Sequence, residues 1–180
     1  MMTVEVVRSA RRRKTVQARM VDGVLRVQIP ASMSREEEHM WVSEMVGRME
    51  RRTSAERIDL TARARTLARQ YGLEIPASIR WVDNQESRWG SCTPRDRTIR
   101  ISSRLGREPL WVVDYVVIHE LAHLSVSGHG PRFWRLVDRY PLAERARGFL
   151  IARGLEGGEP DDSDADRLPE GSEPSSVTAV

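Results

Sequence analysis

The chain predicts an α+β fold, and three features of the sequence carry that expectation. Short alternating apolar runs mark strands near the N-terminus and again between residues 78 and 102. Capped amphipathic stretches mark helices between and after them. One segment, 110–124, is apolar almost all round, which marks a buried helix. The expected architecture is a small, mostly antiparallel sheet packed on helices. A length of 180 residues accommodates one domain with a real core, plus appendages.

Val4–Val7 reads as a short strand. Arg11-Arg-Arg-Lys14 follows, a basic run best explained as a solvated loop or strand edge, with phosphate contact the sharper alternative. Val16, Ala18 and Met20 alternate, as do Leu25, Val27 and Ile29, around Asp22-Gly23. That pattern predicts a hairpin with a type I′ turn. Ser34 and Glu37 form a capping box opening a helix striped by Trp41, Val42, Met45, Val46 and Met49. His39 on that helix is a surface histidine. A second helix is expected from about Ala55 to Tyr71, ended by Gly72 and Pro76, with Arg57, Arg63, Arg65 and Arg69 on a wet outer face.

Ser78–Val82, Arg88–Cys92 and Thr98–Ser102 read as three strands. Pro109 starts the buried helix, Pro131 a short helix with Phe133, Trp134 and Val137 inward, and Pro141 a last one ending near Arg153. The tryptophans at 41, 81, 89, 111 and 134 are expected to build the core. Residues 1–32 thus form a strand and hairpin region, continuous with a domain over 33–153. Residues 154–180 carry eight acids against Arg167, a net of −7, so the first 153 residues hold +10 of the chain's formal +3. This composition predicts a disordered acidic tail on a basic core. The core could make non-specific nucleic-acid contacts. A lone cysteine excludes an internal disulfide framework, and no run of about 18 apolar residues exists to span a bilayer. The expectation is a cytoplasmic chain without membrane contact.

The chemistry concentrates in Tyr115-Val-Val-Ile-His119-Glu120-Leu-Ala-His123 and His129. On a helix, His119 and His123 stand one turn apart and leave the same face. Two imidazoles so placed can reach one tetrahedral ion at about 2.0–2.1 Å. Glu120, rotated by roughly 100°, stays outside the coordination shell where it can hold a water. The competing explanation, two satisfied core histidines, leaves the glutamate and the nearby third histidine without a purpose.

The third ligand has two candidates. His129 follows Gly128, whose freedom to adopt a left-handed conformation lets the chain turn back. Glu144 lies on the last helix, where an acid also suits the first turn. His129 is favoured, because three imidazoles with one open position make a catalytic set. The spacing is partly that of metzincins, but Val126 stands where they place glycine, and all seven methionines lie at or before Met49, so no methionine turn follows.

Arg88-Trp-Gly-Ser-Cys-Thr93, Thr98-Ile-Arg-Ile-Ser102, Asp114 through His123, His129 and Phe133-Trp134 together resemble the YgjP-like family of metal-dependent hydrolases, which is related to SprT-like and WLM metallopeptidases. Arg8-Ser-Ala-Arg-Arg-Arg-Lys14 and the hairpin are similar as well, so the resemblance spans roughly residues 4–150. It implies a compact zincin-like domain, one zinc ion held by His119, His123 and His129, and a catalytic Glu120. Ser102 departs from it, since asparagine is expected there.

Three functions follow. In a zinc metallopeptidase, Glu120 takes a proton from the nucleophilic water and returns it to the leaving amine, acting on a peptide or protein along an exposed edge of Thr98–Ser102 or Arg88–Cys92. The resemblance also admits a nucleotide pyrophosphatase on the same site, with several arginines converging on the open metal position. The third reading is a nucleic-acid-binding module with a closed structural metal. Arg88 and Tyr115 are further candidates for substrate or oxyanion contact, although packing explains both simply. Cys92 reads as a small buried residue.

Overall fold

The computed structural model describes residues 2–85 and 87–153; the predicted acidic tail lies outside the described residues. The α+β class holds, but the strands divide into two three-stranded sheets, each mixed rather than mostly antiparallel.

The first sheet contains β1 (Val4–Ser9), β2 (Gln17–Val21) and β3 (Val24–Pro30), with β3 central. β2 and β3 are the expected hairpin, with Val21 opposite Val24. Asp22 and Gly23 both adopt positive φ, 50° and 80°, as a type I′ turn requires. β1 pairs with β3 in parallel, from Val4 against Leu25 to Ser9 against Pro30. Alternation could not reveal this pairing, because period 2 fixes the faces of a strand but not its partner. In the preceding loop Arg12 bonds Thr15, Gln17 and Gln28, while Arg11, Arg13 and Lys14 are exposed.

Helix α1 (Arg35–Ala55) opens on the predicted Ser34–Glu37 capping box and packs Met45, Val42, Val46 and Met49 onto Leu25, Val27 and Ile29. Trp41 departs from its predicted core place and is 38% exposed. At the other end of α1, a methyl group added to Gly106 would meet the Ala55 backbone at 2.5 Å, so glycine there permits the close approach of a 3-10 turn (Ser103–Arg107). Helix α2 runs over Leu60–Tyr71, not from Ala55, because the Asp59 side chain caps the Ala62 amide and starts a new helix. Gly72 closes it at φ 63°.

The second sheet holds β4 (Ser78–Val82), β5 (Gly90–Thr93) and β6 (Thr98–Ser102), in the order β4-β6-β5. Ile79, Ile99 and Ile101 turn toward helix α3 (Leu110–Ala122), whose residues from Val112 to Ile118 are all buried. Helices α4 (Pro131–Val137) and α5 (Ala143–Ala152) complete this core with Phe133, Val137, Ala146 and Leu150. Asp114, buried within α3, receives Nε of Arg63 on α2 at 2.5 Å and a second bond from Nη2. Arg63 therefore leaves the wet face expected for the α2 arginines and ties two helices together.

Candidate metal centre

The buried helix α3 delivers His119 and Glu120 in its last turn, and His123 is its capping residue. The helix ends there, five residues before Gly128. Gly128 has a left-handed φ of 71°, and the bend brings His129 back over the helix end. The Nε2 atoms of His123 and His129 each lie 3.2 Å from Nε2 of His119. The ligand atoms of all three residues fall within 4.8 Å of one another. No fourth His, Cys, Asp or Glu joins them among the described residues.

The chemistry of the donors fits a metal ion. Nδ1 of His123 faces the carbonyl of Val126 at 3.3 Å. A carbonyl only accepts, so the proton sits on Nδ1 and the Nε2 lone pair is left facing the other rings. Nε2 of His119 carries at most one proton yet faces two ring nitrogens at 3.2 Å, so one linear hydrogen bond cannot serve both contacts, whereas a shared cation can. Three nitrogens arranged tetrahedrally about 2.05 Å from one ion are themselves about 3.3 Å apart. The observed separations fit. His119 is held well below the usual imidazole range by burial first, then by His123, His129 and Arg147, so its neutral, ligating form is favoured.

Aromatic rings wall the three histidines. Phe133, fully buried, stacks on His123 at 4.4 Å between centroids and meets His119 and His129 at 4.8 and 4.7 Å. Trp134 lies 5.7 Å from His129. The α4 residues predicted to face inward thus form the back wall of the site, a role their periodicity did not reveal.

Glu120 is 6% exposed, and burial pushes its carboxyl up to about 8 while the charge of Arg88 acts to lower it. The carboxylate occupies space opened by Gly90 on β5, where an added methyl group would lie 2.8 Å from both Cγ and Cδ of Glu120. Glycine inside a strand signals such a close approach, and that is the signal in the sequence that points to Gly90. β5 is an edge strand and β6 is central, so of the two segments that could offer an edge it is the one carrying Gly90 that does.

Arg88 is exposed, just ahead of β5 rather than within a strand, and its charge reaches Glu120. Tyr115 is buried with its ring 6.1 Å from that of His119. Glu144 is exposed and bonded to Arg147, apart from the three histidines. His39 is exposed on α1. Cys92 is half-buried on β5, its thiol pushed up to about 12 by burial and by the Glu120 charge. Ser102, where asparagine was expected, is buried and donates through Oγ to the Gln85 carbonyl at 3.2 Å. No described helix is long and apolar enough to cross a membrane.

The YgjP-like, metallopeptidase domain family matches residues 23–149. Two solved structures are similar in shape. The metallopeptidase zymogen abylysin of Pyrococcus abyssi is 20% identical over 52% of this chain and 93% of its own, with a TM-score of 0.47. The zymogen jannalysin of Methanocaldococcus jannaschii is 15% identical over 54% of this chain and 99% of its own, with a TM-score of 0.46. No curated protein matches the chain.

Proposed function

Because this chain belongs to the YgjP-like metallopeptidase domain family, we propose that it is a single-zinc peptidase in which His119, His123 and His129 hold the ion and Glu120 moves the proton. The observation that carries the reading is the placement of Glu120, buried next in sequence to a metal-binding histidine and seated against the glycine of an edge strand. Zinc is favoured by three imidazole donors, two of them at 3.2 Å from the third, close to the tetrahedral separation.

Such an ion, when bound, supplies Lewis acidity, polarising a carbonyl and lowering the pKa of water toward ~7. The chain's own residues do the rest. A carboxylate oxygen of Glu120 accepts the proton of the attacking water and later gives it to the leaving amide nitrogen. Phe133 and Trp134 exclude solvent from the back of the ligands and fix their ring planes. The Arg88 charge stabilises the ionised form of Glu120. The free edge of β5 offers backbone groups to an extended peptide, which would pair beside Gly90 and so run past Glu120. Tyr115 takes no part in the proton transfer; it is buried beside His119 and interacts with Arg147.

The nucleotide reading called for several arginines around the metal position. Arg88 and Arg147 act on Glu120 and His119, while Arg132, Arg135 and Arg139 line a separate cavity of about 480 Å³ that contains neither Glu120 nor any of the three histidines. The structural-metal reading called for a fourth ligand, and none gathers among the described residues. Offering the zinc-loaded chain unfolded protein and nucleoside triphosphates tests the proposal. Peptide-bond cleavage stopped by a chelator is expected; turnover of triphosphates alone would contradict it.

A further inference from the structure

Arg147 has no part in the chemistry above, yet it lies against the wall of the metal centre. Its guanidinium carbon sits 4.3 Å from the centroid of Trp134. The Trp134 ring lies 5.7 Å from that of His129, inclined at only 31°. Guanidinium, indole and imidazole thus form a continuous run from α5 through α4 to the third histidine. Tyr115 hydrogen-bonds the same guanidinium from the buried helix.

A surface ion pair does not explain this placement. Nη1 of Arg147 meets Glu144 at 2.9 Å and Nη2 lies 3.9 Å from Asp138, but those carboxylate side chains are 79% and 53% exposed, and such pairs contribute little. Meanwhile Nε and Nη2 of Arg147 are buried without hydrogen-bond partners. An arginine placed only to meet the exposed Glu144 and Asp138 carboxylates would keep those donors in water. Burying them has a cost, and what the burial secures is the contact of the guanidinium with the indole.

We infer that Arg147 is a positioning residue for the third ligand. Its guanidinium clamps the Trp134 indole against His129 and so fixes the direction in which Nε2 of His129 faces the ion. The inference rests on the three histidines holding a divalent ion, as read above. Groups that orient ligands from behind commonly change metal affinity by 10–100-fold when removed.

The test uses the full chain with Arg147→Met, which keeps length and apolar contact, with Trp134→Leu, and with both together. Zinc affinity is read by competition with a chromophoric chelator, and ligand geometry by the visible absorption of bound Co²⁺. Each single variant is expected to weaken zinc binding by about tenfold or more and to change the Co²⁺ spectrum. Because one residue acts through the other, the double variant should lose no more than the worse single. If Arg147→Met does not fold, Arg147→Lys carries the test. It keeps the charge but not the plane, and the Co²⁺ spectrum should still shift. Unchanged affinity and spectrum, or losses that simply multiply in the double variant, would overturn the inference while leaving the metal centre standing. A wild-type chain that binds no ion would overturn both.

Discussion

Gly90 and Glu120 compete for one volume: a methyl group on the glycine would lie 2.8 Å from both Cγ and Cδ of the glutamate. The edge strand and the buried helix are therefore matched at this contact. Gly90→Ala should displace the carboxylate without touching the imidazoles. We expect zinc stoichiometry to be kept and peptide turnover to fall at least tenfold, since small misplacements of a catalytic group are costly. Metal analysis beside kinetics checks this, and loss of zinc together with activity would count against it.

Metal should also be visible in stability. In the proposed centre the three histidines share one ion, and a ligand bound only by the folded chain stabilises it by about 2.7 kcal/mol at a free concentration of 100 times Kd. Chelation should lower the Tm of the wild type. In His123→Ala the melting curve should no longer respond to the chelator. A response of equal size in both proteins would place the ion elsewhere.

The pair formed by Arg63 and Asp114 makes a prediction away from the chemistry. Asp114 is 4% exposed and receives two bonds from the guanidinium. Arg63→Met strands a buried carboxylate and should cost about 3–5 kcal/mol in urea unfolding. A loss below about 1 kcal/mol, the range of an exposed ion pair, would contradict this placement.

Cys92 gives a pH dependence. Its thiol is raised from an ordinary 9.0 to about 12, chiefly by burial and then by the Glu120 charge. The reactive species is the thiolate, so alkylation of the metal-free chain at pH 8 should be far slower than for an unfolded thiol. The folded state binds the proton more tightly, so this group's contribution to stability is present below the unfolded pKa and is lost as pH rises through about 12. Rapid labelling at pH 8 would show that the site is open.

Much of this was legible in the chain, and the misses share a cause. The uniformly apolar run before His119 announced a buried helix, Ser34 and Glu37 announced a cap, and Asp22-Gly23 announced a turn, because each signal is local. The parallel pairings of β1 with β3 and β4 with β6 are set by partners distant in sequence. Arg63 looks like its neighbours until Asp114, 51 residues on, is placed beside it. Phe133 was recognised as inward, but that it plates three histidines depends on how Gly128 turns the chain. Trp41 shows the converse, an apolar stripe wider than the sheet it covers.

Glu120 is assigned to the reaction and not to the fold or the metal shell. The most direct measurement compares zinc content and peptide hydrolysis in the wild type and in Glu120→Gln, which keeps shape and removes the proton acceptor. Retained zinc with hydrolysis reduced by about 10²–10⁴-fold is the predicted result. Hydrolysis at the wild-type rate, or loss of zinc along with it, would contradict the role assigned to this glutamate.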